Sequence, residues 1–401
     1  MITGDVRRAI ARAVAAEGLP PADPGLRPTG VPGQYASSVA FAFGERRHQA
    51  AAGIARHLTQ TDGIARAEIT GPGFITVTIA PEELAALPER IASAGPACAA
   101  GPACAASDAL NGVTIAAPPA GDPLAEVSWE KARTALAAQL TARLAAAAGA
   151  TVAPPEDMER SVAPPDSKQL AVGGEATDRY SCVLAQPSAS PQPAQTGDRR
   201  GQGGWGAGAP HAGSQSPGMA PDPGPTRWPP VPSGANPVQQ AVAFAGADAV
   251  RFALARAVPG RPVVIDPLII ARHVLGNPAY AVRYAHARAA SGVRWAAPSR
   301  AVPLGRRAVL RHPPADPGEL VLLDALSWLP ERVATAARRG RPDEFARYLE
   351  ELASAAIAAL IGAGDPGSDR VSSDRLAMAK AARTGLAAGL GLLGVGAPDR
   401  L

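Results

Sequence analysis

The chain has 401 residues, 46% of them hydrophobic, and a net charge of +4, so it is long enough for two or three domains with buried cores. Three cysteines are too few for a disulfide framework or a cysteine-based metal site, and we expect reduced thiols and no bound metal or cofactor. The longest apolar run is too short and glycine-rich to cross a bilayer, and the first residues lack the apolar core of a signal peptide. These features predict a soluble cytoplasmic protein.

The first 95 residues combine helical and strand patterns. Hydrophobic residues recur every four positions from Val6 to Val14, which predicts an amphipathic helix over 3–17 with Thr3 as its N-cap. A second helix is predicted in "GERRHQAAAGIARHL". The stretch "FITVTI" alternates apolar and polar residues after a Gly-Pro-Gly turn, as strands do. Residues 1–95 are therefore predicted to form a small α+β domain.

The middle of the chain contains one short α/β segment and a long segment of biased composition. A strand, a proline-rich loop and a helix are predicted within 111–152, which is the opening unit of a nucleotide-binding fold. One such unit cannot form a doubly wound sheet, so we interpret 109–152 as a Rossmann-like remnant. Residues 186–240 hold 12 prolines and 10 glycines with almost no aliphatic side chains. We therefore predict a largely disordered linker over 153–240.

Helical periodicity returns in the C-terminal part, and 241–401 is predicted to be an all-α helical bundle. This part holds 21 basic and 14 acidic side chains, whereas the first 240 residues hold 18 and 21. A basic surplus of this kind suits a polyanion ligand, although a solvated arginine-rich surface explains it equally well. The predicted helices are 242–257, 278–296, about 319–339, 343–361 and 371–392.

One side of the predicted helix 278–296 combines aromatic and basic residues. Asn277 and Pro278 are predicted as its N-cap and first position. An aromatic stripe at helical spacing usually packs inside a protein, so Tyr284 and Trp295 are predicted to be buried. His286 points elsewhere and is predicted to be structural. The residues that fall within about 80° of one another on this side are Tyr280, Tyr284, Arg288, Ser291 and Trp295.

The segment "GNPAYAVRYAHARAASGVRWAA" resembles the start of the DALR anticodon-binding domain of arginyl-tRNA synthetases. "GADAVRFALAR", "FARYLEELA" and "GLAAGLGLLGVGAPDRL" are similar to further landmarks of these enzymes, in the same order. "QYASSVAFAFG" and "TGPGFITVTIA" resemble their additional N-terminal domain, which meets the tRNA elbow. The resemblance implies that tRNA is the ligand. The RNA-binding candidates are Tyr35 and Phe74 in the N-terminal domain and Tyr280, Arg283, Tyr284, Arg288 and Arg294 in the helical domain.

The chain departs from this family at both catalytic signatures. Ala125 and Ser128 stand where the two histidines of the HIGH signature are expected, and no lysine occurs between Lys168 and Lys380 to supply the KMSKS signature. Those side chains bind ATP phosphates and stabilise the charge that develops during adenylate formation. The resemblance therefore implies a protein that is not an enzyme and has no catalytic residues.

Further departures affect RNA recognition. The family's aromatic cluster after the FARYL segment is replaced by Ala356 to Leu360, which contains no aromatic residue, and two expected asparagines are replaced by Ser38 and Thr76. Stacking and edge hydrogen bonds hold unpaired bases, so specificity for one tRNA is reduced. Three hypotheses follow: a non-catalytic tRNA-binding protein with a regulatory or accessory role, a protein–protein interaction module on the same scaffold, and, least favoured, an active arginine–tRNA ligase.

Overall fold

The computed structural model describes most of the chain outside the predicted linker, and all of the described residues belong to one compact unit. The predicted disordered stretch falls almost wholly outside the described residues. At the end of the predicted linker, however, a helix already begins at Pro237. The described ranges are 2–99, 109–154, 236–296, 316–361 and 373–401.

The N-terminal domain is an antiparallel four-stranded sheet with helices, as its sequence predicts. The strand order is β1-β2-β4-β3, and helix α2 packs against β3 and β4. Ile75, Val77 and Ile79 of β4 are buried, because alternate residues of a strand share one face. The elements are α1 (Ile2–Ala16), β1 (Arg27–Pro28), β2 (Gln34–Ser37), α2 (Arg47–Thr59), β3 (Ile64–Thr70), β4 (Phe74–Ile79) and α3 (Pro81–Ala94).

The predicted α/β remnant contains a strand that the sequence pattern did not indicate. Strand β5 (Thr114–Ala116) is followed by helix α4 (Trp129–Ala147), and β6 (Thr151–Ala153) then pairs in parallel with β5. Three residues are too few to display an alternating pattern, which is why β6 was missed. The remnant is thus a complete, very small β-α-β unit.

The C-terminal part is all helical. The helix predicted over 242–257 is divided at Gly246, whose φ of 87° is unsuited to a helix interior. The helix predicted over 319–339 is divided next to Trp328, because Pro330 begins a new first turn. None of the described helices is long and apolar enough to span a membrane. The helices are α5 (Pro237–Ala245), α6 (Ala247–Arg256), α7 (Pro267–Ile270), α8 (Pro278–Ala296), α9 (Pro317–Ser327), α10 (Leu329–Arg339), α11 (Pro342–Ile361) and α12 (Ser373–Leu392).

The N-terminal domain is fixed to helices α9 and α10 by hydrogen bonds. The Thr3 hydroxyl donates to the Ser327 carbonyl oxygen at 2.6 Å, so Thr3 lies inside α1 and links two domains instead of capping the helix. The Gly33 amide donates to Asp324 Oδ1 at 3.2 Å. Burial raises the pKa of the Asp324 carboxyl, and the hydrogen bond from Gly33 opposes that shift. This interface joins residues about 300 positions apart.

The β-α-β remnant also packs on the helical part. Arg133 of α4 donates to the carbonyl oxygens of Val258 and Arg261 at 2.9 and 3.0 Å. The Glu130 carboxylate accepts the amide of Val263 at 2.8 Å. These bonds hold the loop between α6 and α7 in one conformation on the N-terminal turn of α4.

Candidate nucleic-acid interface

Helix α8 has an alanine-rich face that is buried against α11 and α12. Ala279, Val282, Ala285 and Ala289 are at most 4% exposed. Small side chains allow the three helix backbones to approach closely, which leaves no space for rings on that face. The aromatic and basic side of α8 therefore faces away from the helical core.

The structure corrects the prediction that Tyr284 and Trp295 are core residues. Trp295 is 75% exposed, and Tyr284 is half-buried. The prediction failed because alanines of α8 already supply the buried stripe, and alanine is too small and too weakly apolar to stand out in a sequence pattern. The consequence is a solvent-accessible strip along α8, made of Tyr280, Tyr284, Arg288, Ser291 and Trp295, which we call the α8 strip.

Three rings are stacked at the N-terminal end of the α8 strip. The His273 and Tyr280 ring centroids are 5.3 Å apart with an interplanar angle of 12°, and those of Tyr280 and Tyr284 are 5.8 Å apart at 22°. Asn277 fixes this geometry, because its side-chain amide donates to the carbonyl oxygens of Ile270 and Arg272 at 2.7 and 2.8 Å. The Asn277 amide thus holds the turn that carries His273, although it was predicted to cap α8.

The three arginines of α8 differ in their exposure and in the contacts that they make with other residues of the chain. Arg288 is exposed and makes no ion pair or hydrogen bond within the described part of the chain. Arg294 is exposed but donates to the carbonyl oxygen of Asp399 at 2.7 Å. Arg283 lies 3.6 Å from the Asp248 carboxylate and is largely covered. Arg288 is consequently the guanidinium best placed for an anionic ligand.

His286 is buried on the opposite side of α8, in agreement with its predicted structural role. It is 2% exposed, and its Nδ1 lies 2.9 Å from the Pro398 carbonyl oxygen. Burial lowers the pKa of the imidazole, and the bond to Pro398 opposes that shift. A carbonyl oxygen only accepts, so Nδ1 carries the proton of a neutral ring. His286 therefore fastens the C-terminal segment to α8.

The two N-terminal candidates lie in different environments. Tyr35 is 0% exposed, and its hydroxyl is 2.9 Å from Ser327 Oγ while its ring meets the Trp328 ring edge-on. A side chain enclosed between two domains does not reach RNA, so the prediction for Tyr35 does not fit its position. Phe74 is half-buried, and its ring lies 4.7 Å from that of Phe41.

Phe41 was not among the predicted RNA-binding residues, although it lies in the stretch "QYASSVAFAFG". It is 36% exposed, and the Arg47 guanidinium lies 5.6 Å from its ring centroid. Phe41, Phe74 and Arg47 form a small surface where a base could stack, next to a cation. In the sequence, Phe41 could not be told from a core residue, because its only feature is its apolar character.

Thr76, which replaces a family asparagine, has its hydroxyl 3.0 Å from that of Thr70.

The loop before α4 is closed by its own side chains. The Ser128 hydroxyl accepts the Lys131 amide at 3.4 Å as the N-cap of α4, and Asp122 Oδ1 accepts the Leu124 amide at 3.0 Å. Ala125 lies in the short 3-10 turn between them. Among the residues that the structure describes, no cluster of three or more histidine, cysteine or acidic side chains could hold a metal ion.

Comparison with known proteins identifies the helical part. Residues 282–401, which include most of the α8 strip, match the model of the DALR anticodon binding domain. Residues 282–401 of this chain belong to a DALR anticodon-binding domain. The DALR domain comprises the end of the ring stack, all three α8 arginines and Trp295.

Curated relatives extend the similarity over part of the chain. The arginine–tRNA ligase of Frankia alni is 35% identical over 165 residues, which are 39% of this chain and 29% of that protein. The corresponding enzyme of Kineococcus radiotolerans is 36% identical over 176 residues, 41% of this chain and 30% of that protein. The chain thus spans about 30% of the length of these relatives.

A solved structure has a similar fold. Arginyl-tRNA synthetase from Thermus thermophilus aligns with a TM-score of 0.61 and 15% sequence identity, and the alignment covers 100% of both chains. At that identity the likeness concerns the fold alone. It agrees with an N-terminal α+β domain, an α/β segment and a helical bundle in this order.

Proposed function

We propose that this protein binds tRNA through its DALR domain without aminoacylating it and acts as a regulatory or accessory factor. The observation that supports this proposal is the half-exposed ring stack at the start of α8, followed by the Arg288 guanidinium, which has no ion pair in the described part of the chain. The relatives are named as enzymes that act on tRNA, which makes tRNA the first RNA to consider.

Stacked, half-exposed rings beside a guanidinium that has no partner among the described residues suit unpaired bases. A base in a loop can stack on tyrosine or histidine, and the neighbouring phosphate can pair with arginine. Helix α8 carries three arginines and no acidic residue, so its charge favours a polyanion. The family's aromatic residues are absent at Ala356 to Leu360. The stacking and edge contacts that those residues make to bases are therefore missing from this chain, which favours weak discrimination between RNA sequences.

The non-catalytic part of the proposal is supported by the sequence of the α/β remnant. Ala125 and Ser128 occupy the positions of the family's two histidines. Alanine has no hydrogen-bond donor and the serine hydroxyl is neutral, so neither side chain supplies the positive charge of a protonated imidazole. The Ser128 hydroxyl is already used as the α4 N-cap. No lysine lies in the interval where the second signature is expected. We infer that ATP-dependent activation of arginine is absent.

Two experiments test the two halves of this proposal. Ultraviolet crosslinking in cells, followed by sequencing of the attached RNA, is expected to recover tRNA above the level obtained with a Tyr284→Ala, Arg288→Ala variant. Equal recovery of tRNA with that variant would remove the binding proposal. Arginine-dependent exchange between ATP and pyrophosphate is expected to be at background, and exchange by the purified chain would overturn the non-catalytic part.

A second function is favoured by one specific feature, the aliphatic surface of the loop around α7. This loop is fixed by Glu130 and Arg133 of α4, yet several of its aliphatic side chains project into solvent. Exposed apolar clusters on ordered segments commonly mark protein interfaces. A protein partner is therefore the alternative to tRNA. The exposed side chains are Val264 at 91%, Leu275 at 54%, Ile269 at 52% and Val274 at 51%.

A further inference from the structure

We propose that Trp295 is a second base-stacking position and that the α8 strip takes single-stranded RNA along its length with little sequence preference. This inference depends on the proposed RNA-binding function and specifies its ligand class. It is based on the position of Trp295, its exposure and the charge of the surface between it and Tyr284.

Trp295 lies on the same side of α8 as the ring stack. It follows Tyr284 by 11 positions in one uninterrupted helix. At about 100° and 1.5 Å per residue, the two side chains start within about 20° of each other and about 16 Å apart along the axis. A strand that stacks on Tyr284 and follows the helix axis therefore reaches Trp295.

The exposure of Trp295 is unusual for its residue type. Trp295 is 75% exposed, whereas Trp328 is 4% exposed and Trp129 is partly buried. Trp295 is the most exposed of the tryptophans that the structure describes. A large ring left in water at the end of a helix costs hydrophobic free energy that a stacked base would recover.

The surface between the two ring positions is polar and positively charged. Arg288 lies at its centre with no ion pair in the described part of the chain, and Ser291 follows it one turn later. Arg294, next to Trp295, uses one of its five N–H groups for the bond to the Asp399 carbonyl oxygen, and its guanidinium makes no other bond within the described residues. Phosphates between two stacked bases would meet these groups.

This arrangement selects a class of nucleic acid. Stacking on a ring tolerates every base, because each base presents a similar π face. Bases inside a duplex are already stacked on one another and do not reach a flat protein ring. The α8 strip therefore favours an unpaired segment that is long enough to bridge Tyr284 and Trp295, whatever its sequence.

The test measures the affinity of the full chain for oligouridylates of increasing length and for an RNA duplex. We expect the affinity of the unaltered chain to rise sharply once the oligomer bridges both rings, and to be lower for the duplex. Trp295→Ala is expected to abolish that rise and to weaken binding of long oligomers about tenfold or more, without changing the affinity for short ones. Trp295→Phe, which keeps a ring, is expected to retain most of the rise.

The outcomes separate this inference from the proposed function. If neither tRNA nor any oligomer binds the unaltered chain, the proposed function itself fails. If RNA binds but Trp295→Ala behaves like the unaltered chain at every length, the second stacking position is wrong while RNA binding stands. Equal affinity for duplex and single-stranded RNA would also overturn the inference. Val321→Ala, which removes an exposed aliphatic group on α9, outside the α8 strip, is the control and should change nothing.

Discussion

Replacing Glu331 by glutamine is expected to lower the free energy of unfolding by about 3 kcal/mol, because it leaves a covered arginine without its main partner. Glu331 lies in the first turn of α10, and its side chain is only 8% exposed. Arg7 of α1 donates to both of its carboxylate oxygens, Nη2 to Oε1 at 2.6 Å and Nε to Oε2 at 3.0 Å. Arg338 donates to Oε1 at 3.1 Å. One carboxylate thus connects the N-terminal domain to the DALR domain.

The physical reason for this magnitude is desolvation. Arg7 is 14% exposed, so its guanidinium has lost most of its water, and Asp23 at 2.9 Å is its only other ion-pair partner in the described part of the chain. The glutamine amide of the variant accepts one hydrogen bond from Arg7 through its oxygen. Its NH2 group then faces the second Arg7 donor, and two donors cannot bond to each other. The effect is expected at the low end of the range for broken buried pairs, since Asp23 remains.

Urea unfolding of the full chain measures this effect. The matched control is Glu68→Gln, because Glu68 pairs with Arg66 at the surface, where both side chains are well exposed. That control should cost less than about 1 kcal/mol. Equal midpoints for the two variants would show that the Arg7–Glu331 contact does not hold the domains together.

Tyr284→Ala is expected to weaken tRNA binding about five- to 150-fold, which corresponds to about 1–3 kcal/mol for one lost stacking platform. Tyr284 is the central ring of the α8 strip, since it stacks on Tyr280 and precedes Arg288 by one turn. Removing it takes away one base platform and also releases Tyr280 from its stack. The measurement is an equilibrium titration of each variant with the same tRNA preparation.

Tyr284→Phe is the control for this effect, because it keeps the ring and loses only the hydroxyl. It should bind tRNA within about threefold of the unaltered chain if stacking dominates. The urea midpoint of Tyr284→Ala must stay close to that of the unaltered chain. A loss of affinity then reflects a lost contact with tRNA and not unfolding of the variant. An affinity unchanged by Tyr284→Ala, in a folded variant, would contradict the assignment of the α8 strip.

The sequence predicted element types better than it predicted which surfaces are free. Strong periodicity and Pro278 set the bounds of α8, and the alternation of β4 identified its buried face. The side of α8 that packs in the core was predicted wrongly. Alanine contributes little to a hydrophobic pattern, and yet the alanines of α8 make its close helix contacts. Tyr35 was predicted to bind RNA, because nothing local in the sequence indicates that Ser327 and Trp328 cover it.

Other features depend on contacts between distant parts of the chain and had no local signal. The stacking of His273 on Tyr280 requires Asn277 to hold the preceding turn through carbonyl oxygens. The pairing of β6 with β5 requires α4 to bring two three-residue segments together. The Glu331 network joins residues 324 positions apart. These arrangements become visible only in the folded chain.

The most direct test of RNA binding by the DALR domain is an equilibrium titration of the full chain with bulk tRNA at two salt concentrations. We expect a saturable complex at low salt whose affinity falls steeply as salt rises, with a log–log slope of about −0.7 for each phosphate that the protein neutralises. No detectable complex at low salt would contradict the account and leave the protein-partner alternative.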